Sequence, residues 1–273
     1  MEGTASSTQQ GDQEITTTTT TTTAAAAATT TTEHRDSTLH AVYDASLNVV
    51  AVVQPSRIAV YSATDLAPVC EFYVNGHHIR TVAPFCMKRD SKDVDSVVYA
   101  TTQQDMGVVV HAARHRHSSG IYIPVGASVK RVCSVDPCMA VCATDYNVVI
   151  VDTTQRLCIE TIPTCYNPRG CVTATHARRL VACPNQRTGV VTVFSVDTCA
   201  MRHFTAPQHH INILRFSSCG RYLATCSERG TLVRVFDVDQ CYQCVAEHRR
   251  GYEPCAVVVD VQFHPETPHV LYM

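Results

Sequence analysis

The sequence has no tryptophan, no excess of charge of either sign and no apolar run long enough to cross a membrane. Its apolar runs, such as Asn48–Val53 (NVVAVV) and Val257–Asp260 (VVVD), fall far short of the ~20 residues that a spanning helix needs. The N-terminus also lacks a basic region followed by an apolar one, which argues against a secretory signal. We therefore expect an intracellular protein without a membrane span.

Charge and catalytic motifs are equally sparse. The formal net charge is −2 over 273 residues, so no overall field draws the chain to nucleic acid, and any binding of anions must be local. The sequence has no Gly-x-Ser-x-Gly, no glycine loop that cradles phosphate and no His-Glu-x-x-His. These absences predict a protein that is not an enzyme, with no cofactor and no nucleic-acid partner.

Cysteine, in contrast, is abundant, with 15 residues scattered from Cys70 to Cys255. The chain is too long to need disulfide crosslinks, and many of these residues lie in apolar runs where cysteine acts as a small hydrophobic side chain. We expect them to be reduced and structural. Cys241 and Cys244 have the spacing of a metal-binding pair, but no second pair follows at zinc-site spacing. We interpret the pair as part of a turn and expect no metal.

Residues 1–37 differ from the rest of the chain in composition. They are rich in Thr, Gln and Ser, and the homopolymeric runs Thr16–Thr23, Ala24–Ala28 and Thr29–Thr32 offer almost no large side chain to bury. We predict a disordered tail there. From Leu39 onward the chain consists of short Val-rich runs separated by turn residues, without a sustained helical period. Residues 38–273 therefore read as an all-β domain.

A repeat of strand–turn–strand units runs through this domain. The units are aligned on the last apolar residue of their second strand, namely Val60, Val110, Val151, Val193 and Val235. Their spacings of 50, 41, 42 and 42 residues match the ~40 to 45 residues of a four-stranded propeller blade. The runs Ile211–Phe216 and Val257–Phe263 suit the inner strand that opens a blade. We predict a β-propeller.

The next unit would end near residue ~277, beyond Met273. We therefore expect five blades and the beginning of a sixth. A blade cut there would leave strand edges that a propeller normally hides by closing its ring. This predicts either a truncated product or fragment, or an unusual ring closure.

Two adjacent arginines, Arg249 and Arg250, follow the last complete unit in the stretch VAEHRRGYEPCAV. Neighbouring residues on an extended strand point to opposite faces, so these two cannot easily serve one site together. They could form a solvated turn pair neutralised by Glu247 and Glu253.

The later units resemble the PROPPIN family, the seven-bladed phosphoinositide-binding propellers of autophagy. The resemblance covers about Leu39 to the C-terminus and is dense from Lys130 onward. It is carried by NPRGCVTA, LVACPNQRTGVVTVF, LATCSERGTLVRVFDV and EHRRGYEPCAVVVDVQFHP, and most specifically by RRG after the GTLVRVF strand. The family usually has Phe or Leu before the two arginines, where this chain has His248.

The resemblance implies two neighbouring headgroup pockets. Arg249 would face a first pocket in blade five with Ser227, Thr231 and Arg234, and Arg250 would face a second pocket, most of which belongs to blade six. A family histidine of the first pocket is carried over to His209, although strict alignment puts Pro207 there. Independently of the resemblance, a salt bridge from Arg234 to Glu228 or Asp237 is nearly as well supported as a ligand role.

Three classes of function remain open at this stage. The resemblance implies an adaptor that recognises phosphatidylinositol 3-phosphate or the 3,5-bisphosphate on autophagosomal or endosomal membranes and recruits autophagy proteins from the cytoplasm. Its partner surface would lie on blades two and three, with Arg114–His117 as a candidate. The alternatives are a WD-repeat-like scaffold for protein interactions without lipid binding, or a truncated paralogue that does not bind. An enzyme is the weakest of the classes.

Overall fold

The computed structural model describes residues 40–44, 49–54, 57–73, 79–89, 93–102, 106–112, 121–136, 138–206, 209–250, 258–264, 267 and 271–272. The predicted tail and the Arg114–His117 surface lie outside these residues. Every regular element in the described part is a β-strand, and no helix there is long and apolar enough to cross a membrane.

The strands form five four-stranded antiparallel sheets and one two-stranded sheet, each in chain order. The first sheet consists of β1 (His40–Asp44), β2 (Val49–Gln54), β3 (Arg57–Ser62) and β4 (Pro68–Tyr73). The second consists of β5 (Ile79–Arg89), β6 (Asp93–Thr102), β7 (Gly107–Ala112) and β8 (Ile121–Pro124). The third consists of β9 (Arg131–Asp136), β10 (Met139–Ala143), β11 (Asn147–Asp152) and β12 (Leu157–Pro163).

The remaining sheets follow the same pattern. The fourth consists of β13 (Thr173–Thr175), β14 (Leu180–Pro184), β15 (Val190–Ser195) and β16 (Ala200–Thr205). The fifth consists of β17 (Ile211–Phe216), β18 (Tyr222–Ser227), β19 (Leu232–Asp237) and β20 (Gln243–Arg249). The two-stranded sheet consists of β21 (Gln262–Phe263) and β22 (Leu271–Tyr272).

The five sequence repeats coincide with the hairpins of the second and third strands of the five sheets. The first strand of each sheet contacts the first strand of the next, from β1 through β5, β9, β13 and β17 to β21. Successive four-stranded sheets that meet through their first strands are the blades of a propeller. The predicted fold class, an all-β propeller with about five and a half blades, is confirmed.

The burial of the strands follows from this stacking. A middle strand such as β15 is buried over nearly its whole length because a neighbouring sheet covers each of its faces, whereas the outer strand β16 is mostly exposed. Apolar side chains fill the gaps between sheets, including Ile150 and Phe194 between the third and fourth, and Leu223 between the fourth and fifth. Each fully buried side chain of this size stabilises the fold by roughly 1.5 to 3 kcal/mol.

The opening strand of the sixth unit is shorter than the sequence indicates. Ile211–Phe216 is the first strand of the fifth sheet, as predicted. Among the described residues of the run Val257–Phe263, which begin at residue 258, only Gln262–Phe263 is a strand. The carboxylate of Asp260 accepts hydrogen bonds from the backbone N–H of Val261 (2.9 Å) and from the side chain of Gln262 (2.8 Å). Such local side-chain bonds compete with strand pairing.

Candidate functional site

The two arginines lie where the outer strand of the fifth sheet ends. Arg249 is the last residue of β20 and pairs with Leu232 of β19. The backbone N–H of Arg250 donates to the carbonyl of Thr231 at 3.0 Å. The pairing fixes both residues at the end of the sheet that carries the turn between β18 and β19, which we call the hairpin end.

The other polar residues of the predicted first pocket are at the same end. Ser227 is buried at the end of β18, and its carbonyl accepts a hydrogen bond from the N–H of Gly230 at 3.0 Å. The chain entering β17 is held there too, because the carbonyl of His210 accepts the N–H of Glu228 at 2.9 Å. His209 is exposed and precedes this contact. The hairpin end therefore gathers Ser227, Thr231, His209, Arg249 and Arg250.

The alternation of side chains along a strand shows which face of the fifth sheet carries Arg249. Phe236 of β19 contacts Phe204 of the fourth sheet, with ring centroids 4.8 Å apart. Because alternate residues of a strand share a face and paired residues share it across the ladder, Leu232, Arg234 and Arg249 lie on the face turned toward the fourth sheet.

Arg250 falls on the other face, toward the sixth unit. Cys226 of β18 packs there with Val258 and Phe263. Burial raises the pKa of the Cys226 thiol, and the positive charge of Arg250 opposes that rise. Arg250 follows Arg249 by one residue and continues the pairing with Thr231, so alternation puts it on the face that Cys226 occupies. That the two arginines serve two binding sites stays a prediction.

Arg234 has a different partner from the two considered in the sequence. Its Nε donates to Oε1 of Glu247 at 2.6 Å, and Glu247 is its register partner on β20. The expected salt bridge to Glu228 or Asp237 is wrong, because the buried carboxylate of Asp237 accepts from Arg221 at 3.0 Å instead. In the alternative reading, Glu247 and Glu253 neutralise the arginine pair; Glu247 is paired with Arg234 instead, and Glu253 lies outside the described residues.

Arg234 is held deeper in the sheet than the hairpin end. It pairs with Thr225, two residues before Ser227, and its side chain is 26% exposed. The structure thus brings five of the six predicted site residues to one sheet end. Arg234 lies farther along β19 and forms an ion pair with Glu247, a partner that was not predicted from the sequence.

His248 takes the place of the apolar residue that the family resemblance led us to expect. It pairs with Val233 on the face toward the sixth unit and is partly buried. The histidine therefore keeps its place in the ladder between β19 and β20.

The cysteine pair has no metal-binding surroundings in the described residues, where no three His, Cys, Asp or Glu side chains come together as metal ligands. Cys241 lies in the turn before β20 with a positive φ of 53°, whereas Cys244 lies within β20. The turn interpretation is correct for Cys241 and wrong for Cys244.

Comparison with known proteins places these observations in context. No protein-family model matches the chain. Autophagy-related protein 18e of Arabidopsis thaliana is 35% identical over 95 residues, which is 34% of this chain and 25% of that protein. SVP1-like protein 2 of Neurospora crassa is 31% identical over 107 residues, which is 39% of this chain and 24% of that protein. The aligned part spans about a quarter of the length of each curated relative.

Solved structures extend the similarity to most of the chain. Hsv2 of Kluyveromyces lactis, a PROPPIN, matches with a TM-score of 0.67 at 18% identity, over 85% of this chain and 69% of that one. A second structure of that protein matches with a TM-score of 0.64 at 19% identity, over 83% of this chain and 68% of that one. The resemblance to the PROPPIN family is confirmed. At these identities the structural likeness establishes the propeller fold, while the roles of individual residues rest on the geometry described above.

Proposed function

We propose that this protein is a phosphoinositide-binding adaptor that recognises phosphatidylinositol 3-phosphate or the 3,5-bisphosphate on autophagosomal or endosomal membranes and recruits autophagy proteins there. The observation that carries the proposal is the placement of Arg249 and Arg250 at one sheet end, on opposite faces of the fifth sheet. The role is one of binding rather than catalysis, and its association with membranes is peripheral.

Guanidinium groups suit this task for two reasons. They present a planar fork of donors that matches the oxygens of a phosphate, and they stay charged at any cellular pH. A pair on opposite faces of one strand end can hold two phosphates in two neighbouring gaps. A pair on a single face would instead compete for one.

Further donors for a headgroup lie at the hairpin end. Ser227 shares the face of Arg249, because Thr225, two residues earlier on the same strand, pairs with Arg234. The hydroxyl of Thr231 and the exposed imidazole of His209 lie at the same end and add two more donors. Arg234 contributes a second cation once its carboxylate partner Glu247 is displaced. A mixed set of charged and neutral donors distinguishes the phosphorylated ring position from its neighbours.

Flotation of the purified protein with liposomes tests the proposal. Vesicles that contain phosphatidylinositol 3-phosphate should bind the protein more strongly than vesicles with unphosphorylated phosphatidylinositol. Arg249→Ala and Arg250→Ala should each weaken this binding by about ten- to a hundredfold, because each removes a charge-assisted contact of roughly 1.5 to 3 kcal/mol. The two pockets sit on one rigid sheet facing one membrane, so the double variant should lose more than either single one.

Arg156→Ala is the matched control. Arg156 is exposed in the turn between β11 and β12, at the end opposite the hairpin end of its sheet, and the substitution removes the same charge. It should leave lipid binding unchanged. Equal binding to both kinds of vesicle, or equal losses in Arg156→Ala and Arg249→Ala, would refute lipid recognition at this site and favour a scaffold for protein interactions.

A further inference from the structure

A second group of cations lies near the inner strands, away from the proposed headgroup site. We call Lys130, Arg131, Arg169 and Arg215 the inner basic cluster. Arg131 opens β9 and Lys130 immediately precedes it, Arg169 lies in the loop before β13, and Arg215 belongs to β17. The cluster therefore draws on the third, fourth and fifth sheets.

Two members of the cluster have carboxylate partners. Nζ of Lys130 lies 3.1 Å from Oδ2 of Asp145, and Nη2 of Arg215 donates to Oδ1 of Asp260 at 2.7 Å. Four cations and two carboxylates leave a net charge of +2 in the cluster.

The net charge of +2 comes from Arg131 and Arg169. Across the ranges that the structure describes, neither of them forms an ion pair, and the hydrogen bond recorded for Arg169 runs from Nη1 to Oδ1 of Asn212 at 3.4 Å. Arg131 is partly buried. Among the described residues no carboxylate offsets the charge of Arg131, and a bound phosphate would do so.

The loop that carries Arg169 is rigid. The buried side chain of Asn167 accepts the N–H of Cys171 at 2.6 Å and donates to the carbonyl of Cys171 at 3.1 Å, and its own carbonyl accepts the N–H of Gly170 at 3.0 Å. Arg169 is thus presented on a closed loop, which lowers the entropy lost when a ligand binds.

Gly170 brings this loop onto the start of β9. A Cβ atom at residue 170 would lie 2.8 Å from Cβ of Arg131 and 2.9 Å from Cβ of Lys130, so only glycine permits the contact. Its φ of +64° is also in the region that favours glycine. The backbones that carry Arg131 and Arg169 are therefore in direct contact.

The thiol of Cys171, close to the cluster, does not act as a negatively charged partner for Arg131 and Arg169. Burial raises the pKa of the Cys171 thiol to about 12, even though the charges of Arg131 and Arg215 oppose the rise. The thiol is therefore neutral at pH 7 and offsets none of the positive charge of the cluster.

We propose that Arg131 and Arg169, assisted by the side-chain amide of Asn212, bind a phosphomonoester group at the inner strands, in a site separate from Arg249 and Arg250. The forked guanidinium groups match phosphate oxygens, and the two arginines supply the two positive charges that a phosphate dianion needs. The phosphate belongs either to a soluble polyphosphate or to a lipid headgroup.

Isothermal titration of the 273-residue protein with inositol hexakisphosphate tests the soluble source, and flotation with vesicles containing phosphatidylinositol 3-phosphate tests the lipid source. Saturable binding of at least one probe is expected. Arg131→Gln and Arg169→Gln should each weaken it by roughly tenfold or more, the loss typical of one charged hydrogen-bonding partner. Arg187→Gln, at an exposed turn of the fourth sheet, removes the same charge outside the cluster and should have no effect.

The Arg249→Ala, Arg250→Ala double variant separates this site from the proposed headgroup site. If the phosphate source is soluble, the double variant should bind inositol hexakisphosphate with unchanged affinity, whereas Arg169→Gln should bind it roughly tenfold or more weakly. For a lipid source, Arg169→Gln should weaken flotation further in the double-variant background. If circular dichroism shows that Arg131→Gln misfolds, the exposed Arg169 decides the outcome alone. Unchanged binding of both probes by Arg169→Gln, or no saturable binding of either probe by the unaltered protein, overturns the proposal.

Discussion

The ion pair between Arg234 and Glu247 makes the role of Arg234 testable through its acid rather than through the arginine. We expect Glu247→Gln to strengthen binding to vesicles with phosphatidylinositol 3-phosphate. The carboxylate occupies the guanidinium that a headgroup phosphate would use, with Nε of Arg234 and Oε1 of Glu247 2.6 Å apart. Glutamine keeps the size of the side chain and removes the competing charge.

The expected gain follows from the exposure of the pair. The side chains are 26% and 51% exposed, so the ion pair is a surface one and contributes at most about 1 kcal/mol to stability. A phosphate that replaces the carboxylate at Arg234 would lie roughly 6 Å from it, where two unit charges in water repel by about 0.7 kcal/mol. Removing that repulsion corresponds to an affinity about threefold higher.

Flotation at several salt concentrations measures the change, and a double-mutant cycle assigns it. In the Arg234→Ala background, Glu247→Gln should have no further effect on binding if it acts through Arg234. The gain should also shrink as salt screens the charges. Weaker binding by Glu247→Gln, or a threefold gain that persists in the Arg234→Ala background, would show that Arg234 is a structural residue and not part of the headgroup pocket.

Three further predictions concern the stability of the fold and the reactivity of its cysteines. Asp260→Ala should lower the free energy of unfolding by about 1 to 3 kcal/mol in urea titrations, because it removes an acceptor of charged hydrogen bonds and leaves Arg215 half-buried without its partner. Burial alone would raise the pKa of Asp260, but the charge of Arg215 and the hydrogen bonds from Arg215, Gln262 and Val261 outweigh it, so the pKa is lowered. The contribution of the carboxylate is therefore present above the unfolded value of about 3.9 and is lost as pH falls through the lower folded value. Asp260→Asn and the unaltered protein should converge in stability below that folded value. Gly170→Ala should cost about 1 to 3 kcal/mol because of its positive φ and its contact with the backbone of Arg131, and an unchanged urea midpoint would contradict this. Cys142 and Cys183, whose burial raises the pKa of their thiols, should react with a thiol reagent only on unfolding, whereas the exposed Cys158 and Cys199 should react at once.

The fold could be predicted from the sequence because its repeat is local. The hairpin of the second and third strands is buried on both faces, so it appears in the sequence as two short apolar runs at a fixed period, as in Tyr222–Ser227 and Leu232–Asp237. Outer strands carry little of this signal. The strand β16, Ala200–Thr205, is mostly exposed and reads as AMRHFT.

The candidate site was predictable where residues follow one another in the chain. Adjacent arginines at a strand end must separate to two faces, and the register puts Arg249 opposite Leu232, on the face toward the fourth sheet. The partner of Arg234 was not predictable in this way, because it lies 13 residues away across a turn and its identity depends on the pairing of β19 with β20. Asp237 is nearer in sequence but lies on the opposite face of β19, where its carboxylate accepts from Arg221.

One bulge decides that pairing. Counted from the turn, where Asp237 pairs with Gln243, a regular ladder would place Ala246 opposite Arg234 and His248 opposite Leu232. The register shifts between Val235 and Phe236, so Val245 has no partner and every later residue moves by one. A shift of one residue exchanges the two faces of a strand. The bulge therefore turns Glu247 toward Arg234 and turns Arg249, rather than His248, into the gap beside the fourth sheet.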